Sequence, residues 1–310
     1  MNCFLKKAKG TATRDYKSLD SKGRGKAVLF LFTAFFIAFA LLDAHRCGSD
    51  FIVKKYAIET TKAAAPIRIA MLSDLHESEF GVGNERLIEA VNEAKPDIIL
   101  CPGDIITRTV SDDELHIGLD LMRALVQYAP VYMSLGNHER DYIREHGSAI
   151  LDSYESTGVH ILDCAYENIH VSDQALRIGG ISESCFSSSD SDKTTLTERK
   201  AFLSELNGTD ALTILLCHRP TDFVSQNAED YSDLNIDLVL SGHTHGGLWQ
   251  IPFIGAVFLP QEGFFPSYAK GLKSVGGSRM IIGAGLGSER LLFRINNPCE
   301  LVLIDIVPCG

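Results

Sequence analysis

A layered α/β fold with largely parallel sheets is what this 310-residue sequence predicts, and three observations predict it. Short apolar runs alternate along the chain with segments whose apolar residues recur at helical spacing. A composition of 45% hydrophobic and 22% charged residues suits a globular chain with a sizeable core. Five of the apolar runs end in Asp, His or Asn, usually beside glycine, and open α/β sheets bind ligands outside the carboxyl ends of their strands.

IRIAML (67–72) reads as the first strand of the domain, and NERLIEAVNEA (84–94) as a helix with Asn84 as its cap. DIILC (97–101) is a strand. Ser111 and Glu114 have capping-box spacing, and Leu115, Leu119, Met122 and Val126 continue at helical steps. VYMSL (131–135) is a strand and 141–156 a helix. ALRIGGI (175–181) is a strand, a helix opens at Thr195-Leu-Thr-Glu198, and LTILLC (212–217), DLVLS (237–241), RMIIGAG and ELVLIDI complete the strands. SSSDSDK (187–193) is the expected mobile loop, and Asn207-Gly208-Thr209 matches a glycosylation sequon or a turn before the next strand.

The N-terminus is of another kind. Residues 1–26 hold eight Lys/Arg against Asp15 and Asp20, a net +6; the whole chain carries −11, so residues 27–310 carry −17. A body that acidic is a poor general nucleic-acid binder, and no nucleic-acid partner is expected. AVLFLFTAFFIAFALL (27–42) then runs sixteen residues without a charge, near the lower length limit for a membrane span. The basic flank favours an uncleaved anchor with the N-terminus in the cytoplasm. A cleaved signal peptide is the alternative, with Ala38-Phe39-Ala40 as its site. The division expected is a basic cytoplasmic tail (1–26), a transmembrane anchor (27–44), a connector (45–65) and one domain (66–310), held at the cell membrane and facing outward. The eight cysteines form no CxxC and no dense disulfide framework, and Cys101 and Cys217 read as buried free thiols.

The strand ends carry the chemistry. After the successive runs come Ser73-Asp74-Leu75-His76, Gly103-Asp104, Gly136-Asn137-His138-Glu139, His218-Arg219 and Gly242-His243-Thr244-His245. In SGHTHGG (241–247), residues two apart project to the same side of an extended segment, and the glycines let the backbone turn away closely. Each motif alone reads as a cap or a turn; five in the same placement do not arise by accident. Two carboxylates, an amide oxygen and several imidazoles, with no thiolate, suit divalent manganese, iron or zinc in a catalytic site. Seven ligands are too many for one open ion and suit two, about 3.5–4 Å apart, which clamp a displacement at phosphorus. One ligand must bridge, and Asp104 is the natural candidate. His45, His116, His146, His160 and His170 fall outside the pattern and read as surface or satisfied histidines.

In this order SDLH, GD, GNHE, H and GHTH resemble the calcineurin-like metallophosphoesterase family, from about Ile67 to the C-terminus. GHTHGGLWQIPFIG, GLG and RINNPCELVL resemble its membrane-anchored bacterial YaeI/YkuE-like branch. The resemblance implies an αββα sandwich of two mixed sheets flanked by helices, here preceded by one N-terminal transmembrane helix. It implies that Asp74, His76 and His245 hold one ion, that Asn137, His218 and His243 hold the other, and that Asp104 bridges. His138 is then a non-ligand that assists the leaving oxygen; Glu139 and Arg219 are the weakest carry-overs, Glu139 orienting rather than reacting. Leu248 departs from the glutamine usual after this motif in the branch, which puts substrate contacts there in doubt.

The expected function is that of a membrane-anchored, dinuclear-metal phosphoesterase cleaving a phosphodiester or pyrophosphate bond, with a lipid-linked substrate favoured and a broad phosphomonoesterase as the alternative. Rivals from other classes are a non-catalytic module that has kept the fold and a histidine-rich metal-storage protein. Neither needs all eight positions filled. Two segments stay open. GAGLGSE (283–289) lacks the helix pattern and Lys-Ser/Thr pair of a phosphate loop and reads as a backbone turn near the site. WQIPFIGAVFLPQEGFFPSY (249–268) is either hairpin core or an apolar rim beside the metals, suited to an acyl chain or a bilayer surface.

Overall fold

The computed structural model describes residues 12–182, 193–224, 234–259, 262–287 and 293–309. Two compact units divide it, Met1–His45 and Arg46–Gly310. Helix α1 (Ala12–Ser49) carries an apolar stretch, Gly25–Ser49, with mean hydropathy 2.4, long and apolar enough to cross a membrane. A signal sequence passes the same test.

The second unit contains sixteen described strands. They are β1 (Phe51–Thr60), β2 (Ile67–Met71), β3 (Ile98–Cys101), β4 (Val131–Met133), β5 (His160–Ile161), β6 (Ala165–Val171), β7 (Gln174–Ile181) and β8 (Leu212–Cys217), then β9 (Leu238–Ser241), β10 (Gln250–Ile251), β11 (Gly255–Ala256), β12 (Phe258–Leu259), β13 (Gly263–Phe264), β14 (Gly271–Val275), β15 (Ser278–Ile282) and β16 (Cys299–Pro308). Twelve of these build two six-stranded sheets, ordered β1-β16-β2-β3-β4-β5 and β14-β15-β9-β8-β7-β6. Both are mixed: β2, β3, β4 and β5 run parallel with β16 antiparallel to β2, and β7, β8, β9 and β15 run parallel between antiparallel β6 and β14. The helices are α2 (Glu85–Ala94), α3 (Asp112–Leu125), α4 (Asn137–His146), α5 (Ala149–Ser156), α6 (Lys193–Asn207) and α7 (Pro220–Phe223).

The period of two along each strand explains the layering. Ile69, Met71, Ile98 and Leu100 of the first sheet meet Ile214, Leu216, Leu238 and Leu240 of the second in one cluster between the sheets. Their neighbours Ala70, Ile99 and Cys101 face the other way, against Leu87, Val91, Leu121, Met122 and Tyr154 of α2, α3 and α5. Leu215, Cys217 and Val239 likewise pack on Leu203, Leu206 and Phe223 of α6 and α7. Strands covered on both faces need apolar residues at every position, which is why the runs are continuous rather than alternating. The architecture is therefore an αββα sandwich.

Several local readings change. Phe51–Thr60, expected as connector, is a ten-residue edge strand paired in parallel with β16 from Phe51 opposite Cys299 to Thr60 opposite Pro308. It is largely exposed, with Ile58 alone buried, so it carried little core signal, and its partner lies some 250 residues away. The expected helix over 141–156 is two, α4 and α5, broken at Gly147 with φ +88°. Asn84 precedes α2 but does not cap it; its side chain accepts the Phe80 N–H at 3.0 Å, closing the preceding turn. Ser111 donates its hydroxyl to Glu114 at 2.8 Å instead of accepting from the helix. Helix α6 begins at Lys193, two residues before Thr195. Residues 187–192 of the expected mobile loop lie outside the described residues. Asn207 to Thr209 form a turn, with the Thr209 N–H on the Asn207 carbonyl at 2.8 Å. Cys101 and Cys217 are buried free thiols, and Cys164 is disulfide-bonded.

Candidate metal centre

The carboxyl ends of β2, β3 and β4 in one sheet and β8 and β9 in the other converge. Backbone N–H groups sew the loops together: Asp74 N–H to Gly103 O at 3.0 Å, Gly242 N–H to His218 O at 3.0 Å, and, between the sheets, His243 N–H to the side-chain carboxylate of Asp74 at 2.8 Å. Asp74, His76, Asp104, His243 and His245 all have φ between +46° and +69°. Non-glycine residues in that left-handed region are uncommon, and each costs of order 1–3 kcal/mol unless its surroundings enforce it. Five at one place mark a loop cluster held for its side chains. Two glycines make room: a Cβ at Gly136 would stand 2.1 Å from Asp104 Oδ1, and one at Gly242 2.3 Å from Asp74 Oδ2.

The strand-end residues Asp74, His76, Asp104, Asn137, His138, His218, His243 and His245 all meet here. Three groups place their ligand-type atoms within 4.8 Å of one another: Asp74, His76 and His245; His76, Asp104 and His138; and Asp104, His218 and His243. Asp104 belongs to two of them. His218 Nε2 lies 2.8 Å from Asp104 Oδ2 and 3.9 Å from Asp74 Oδ1. Asn137, the first residue of α4, contributes a buried Oδ1. The five histidines set aside are all exposed.

The donor set suits cations. His76 Nε2 and His245 Nε2 approach to 3.3 Å. Burial pushes both rings down to about 3, so neutral imidazoles face each other there. Burial, with His218 and Arg219 adding to it, brings His243 to about 2. Burial also opposes charge on His218, but Asp104 outweighs it, with Asp74 and Glu139 behind, and raises that ring to about 9. Burial works to raise the Asp104 carboxyl, yet His218, His76 and His138 hold it well below the usual carboxylate range. Asp74 Oδ2 and Asn137 Oδ1 are buried acceptors with no hydrogen-bond donor among the described residues. Each would cost about 1–3 kcal/mol if left so. Acceptors gathered without donors fit divalent cations, with imidazole, carboxylate and amide ligands of the borderline-hard type.

His138 differs from the others. Its Nδ1 accepts the Arg108 backbone N–H at 2.9 Å, so the neutral ring carries its proton on Nε2, which lies 3.9 Å from Asp104 Oδ2. A protonated Nε2 donates rather than ligates. Glu139 is fully buried and accepts four backbone N–H groups: Ile105 (2.7 Å) and Ile106 (3.1 Å) on Oε1, Asp104 and Gly136 (both 2.9 Å) on Oε2. The bond from Gly136 is half of a capping box, for glycine has no side chain to return it. Burial and Asp104 raise the Glu139 carboxyl to about 7, against those donors. Arg219 caps α7, its carbonyl accepting the Asp222 N–H at 3.0 Å.

Residues 283–287 form a backbone turn against the site: Leu286 N–H bonds Ser73 O (2.9 Å) and Gly287 N–H bonds Asp74 O (2.6 Å). Two contributors behind it escaped sequence reading. Arg294, buried to 1% exposure, donates to the carbonyls of Ala284 and Gly287. Asn297 donates to the His245 carbonyl at 2.7 Å and accepts from Lys270, which also pairs with Glu300 at 2.7 Å. The only sequence signal was RINNP, a polar run before the last strand.

Immediately past His245 the character changes. Gly247, Leu248, Trp249, Val257, Phe258, Phe264 and Phe293 line an apolar groove of about 460 Å³. Trp249, Phe253, Phe258, Phe264 and Phe265 are exposed and form a rim, while Tyr268 packs against the cluster of Leu215 and Val239 and Ala256 and Leu259 are buried. The run is rim in its first five aromatics and core elsewhere. Strands β10 to β13 form two-residue hairpins that present it.

A family model described as calcineurin-like phosphoesterase matches residues 67–247. Phosphodiesterase YaeI of Escherichia coli K12 is 28% identical over 249 residues, covering 79% of this chain and 83% of that protein. The uncharacterized metallophosphoesterase YkuE of Bacillus subtilis 168 is 28% identical over 243 residues, 77% and 78% of the two chains. An uncharacterized metallophosphoesterase of Aquifex aeolicus VF5 is 30% identical over 266 residues, 82% and 91% of the two.

Proposed function

The chain belongs to the calcineurin-like phosphoesterase family, and on that premise we propose that its strand-end cluster holds two divalent cations and hydrolyses a phosphodiester or pyrophosphate bond of a lipid-linked molecule at a cell membrane. The observation that carries the reading is the sharing of Asp104 between two ligand groups, one reaching His76 and the other His218 and His243. Asp74, His76 and His245 are assigned to one ion, Asn137, His218 and His243 to the other, and Asp104 to both. Manganese, iron and zinc all suit these ligands.

Bound there, such ions supply Lewis acidity toward phosphoryl oxygens and a water acidic enough to attack at neutral pH. The residues do the rest. Asp104, held below the ordinary carboxylate range, stays ionised through the working pH range. His138 offers the departing oxygen a hydrogen bond from its Nε2–H, fixed by the Arg108 N–H behind it, as a donor to developing charge rather than a proton source. Glu139 ties the backbone of Asp104, Ile105 and Ile106 to that of Gly136 through four bonds.

The apolar groove supports a lipid-linked substrate. It starts at Gly247, two residues past His245, and its size is that of a small-molecule site, about 300–1,000 Å³. Leu248 stands in its wall. The apolar helix Gly25–Ser49, with a basic flank before it, supports anchoring with the N-terminus inside, and the Cys164 disulfide suits a domain outside the reducing cytosol. The test is hydrolysis by the full chain in detergent, stripped of metal and reloaded with manganese, of an aryl phosphodiester, an aryl phosphomonoester and an acylated pyrophosphate. Metal-dependent turnover with the acylated substrate preferred is expected. Preference for the monoester would favour a broad phosphomonoesterase.

A further inference from the structure

We infer that Arg294 is a positioning residue that sets the tautomer and aim of His245, a role resting on the reading of His245 as a metal ligand. A histidine binds a cation through a ring nitrogen that carries no proton, so the other nitrogen must carry it and needs an acceptor. His245 Nδ1 has two neighbours. The Gly287 carbonyl, an acceptor, lies at 3.1 Å, and Arg294 Nη2, which can only donate, lies at 3.2 Å. If Arg294 donated to Nδ1, the proton would sit on Nε2 and close the nitrogen that faces His76. If Nδ1–H donates to Gly287, Nε2 is open.

The geometry around Nη2 decides between them. Nη2 has two hydrogens, and two carbonyls lie closer than the ring: Ala284 O at 2.6 Å and Gly287 O at 2.5 Å. With both hydrogens engaged, none remains for Nδ1. The imidazole then donates to Gly287 O, whose second lone pair is free for it. The same turn gives its Leu286 and Gly287 N–H groups to the carbonyls of Ser73 and Asp74. One guanidinium thus steadies a short backbone bracket between Asp74 and His245, two residues of one ligand group, both in left-handed backbone conformations that need support. Arg294 is among the largest fully buried side chains in the protein. An aliphatic residue could fill that space, but it would leave the Ala284 and Gly287 carbonyls without the donors that Nη2 supplies.

The test uses the full chain in detergent. In metal-free protein, long-range nitrogen–proton spectra assigned with His245→Gln should show His245 protonated on Nδ1; a proton on Nε2 overturns the inference without any Arg294 variant. Manganese affinity, measured by chelator competition, should fall about 10–100-fold at one ion in Arg294→Gln, the range expected when a ligand's support is lost. In a His245→Ala background the same change should cost little more, since the two act as one unit. An unchanged affinity in Arg294→Gln, or an equal loss in both backgrounds, also overturns the inference. If His245→Ala itself leaves manganese affinity intact, the ligand reading fails instead, so the two failures are distinguishable.

Discussion

Glu139 Oε2 accepts the Asp104 N–H at 2.9 Å, while Asp104 Oδ1 accepts the His138 N–H at 2.9 Å, so the shared carboxylate and the helix beyond it brace each other. Glu139→Gln would turn an NH₂ group toward two backbone N–H donors and leave them unsatisfied. A loss of about 1–3 kcal/mol per orphaned donor is expected. Thermal melts of the metal-free protein should fall by several degrees, at roughly 2–4 °C per kcal/mol for a domain of this size. An unchanged melt would mean that the four bonds do not hold the loop.

Asp104→Asn should lower turnover by about 100-fold or more and reduce bound metal, since a neutral amide holds two dications poorly and losing even a ligand's support costs about 10–100-fold. Metal content by elemental analysis, read beside turnover of an aryl phosphodiester, checks this. Wild-type turnover would refute the shared-ligand assignment.

His138→Gln removes the Nε2–H and no ligand. Because the ring is neutral, its Nε2–H hydrogen-bonds the departing oxygen without transferring a proton. Turnover should therefore fall by roughly 10²–10³-fold across leaving groups, the range for removing one donor to developing charge, with both metals retained. A loss confined to poor leaving groups would show instead that the ring becomes protonated and acts as a general acid. Loss of metal would make it a ligand.

The +6 tail before the apolar helix predicts an inside N-terminus. Protease added to intact protoplasts should digest the catalytic domain and spare residues 1–26. Protection of the domain would reverse the orientation.

Phe264 and Phe265, 74% and 60% exposed, contribute little to a core. Each aromatic buried against lipid would contribute about 1.5–3 kcal/mol. In a fragment beginning at Arg46, which keeps β1, Phe264→Ser with Phe265→Ser should leave the melting temperature near wild type. Liposome binding and activity on acylated substrates should drop while activity on soluble esters persists. A lower melting temperature with uniform loss of activity would return these residues to a structural role.

What the sequence determined by itself was periodic or local. The runs leading to Asp74, Asp104, His138, His218 and His243 announce strands by their apolar content and a site by the Asp, Asn and His at their ends. Both signals sit within a few residues of chain, so both were legible, as was the apolar helix. The tertiary structure decided everything that depends on pairing across distance. It made β1 a strand because β16, some 250 residues on, offers an edge to bond. It gave His138 its donor face because the Arg108 N–H happens to lie behind the ring, and it placed four N–H groups around Glu139. It put Arg294 behind His245 and left the aromatics of 249–265 exposed rather than buried. Hydrophobic pattern reports whether a residue can be buried; only the packed chain settles what it is buried against.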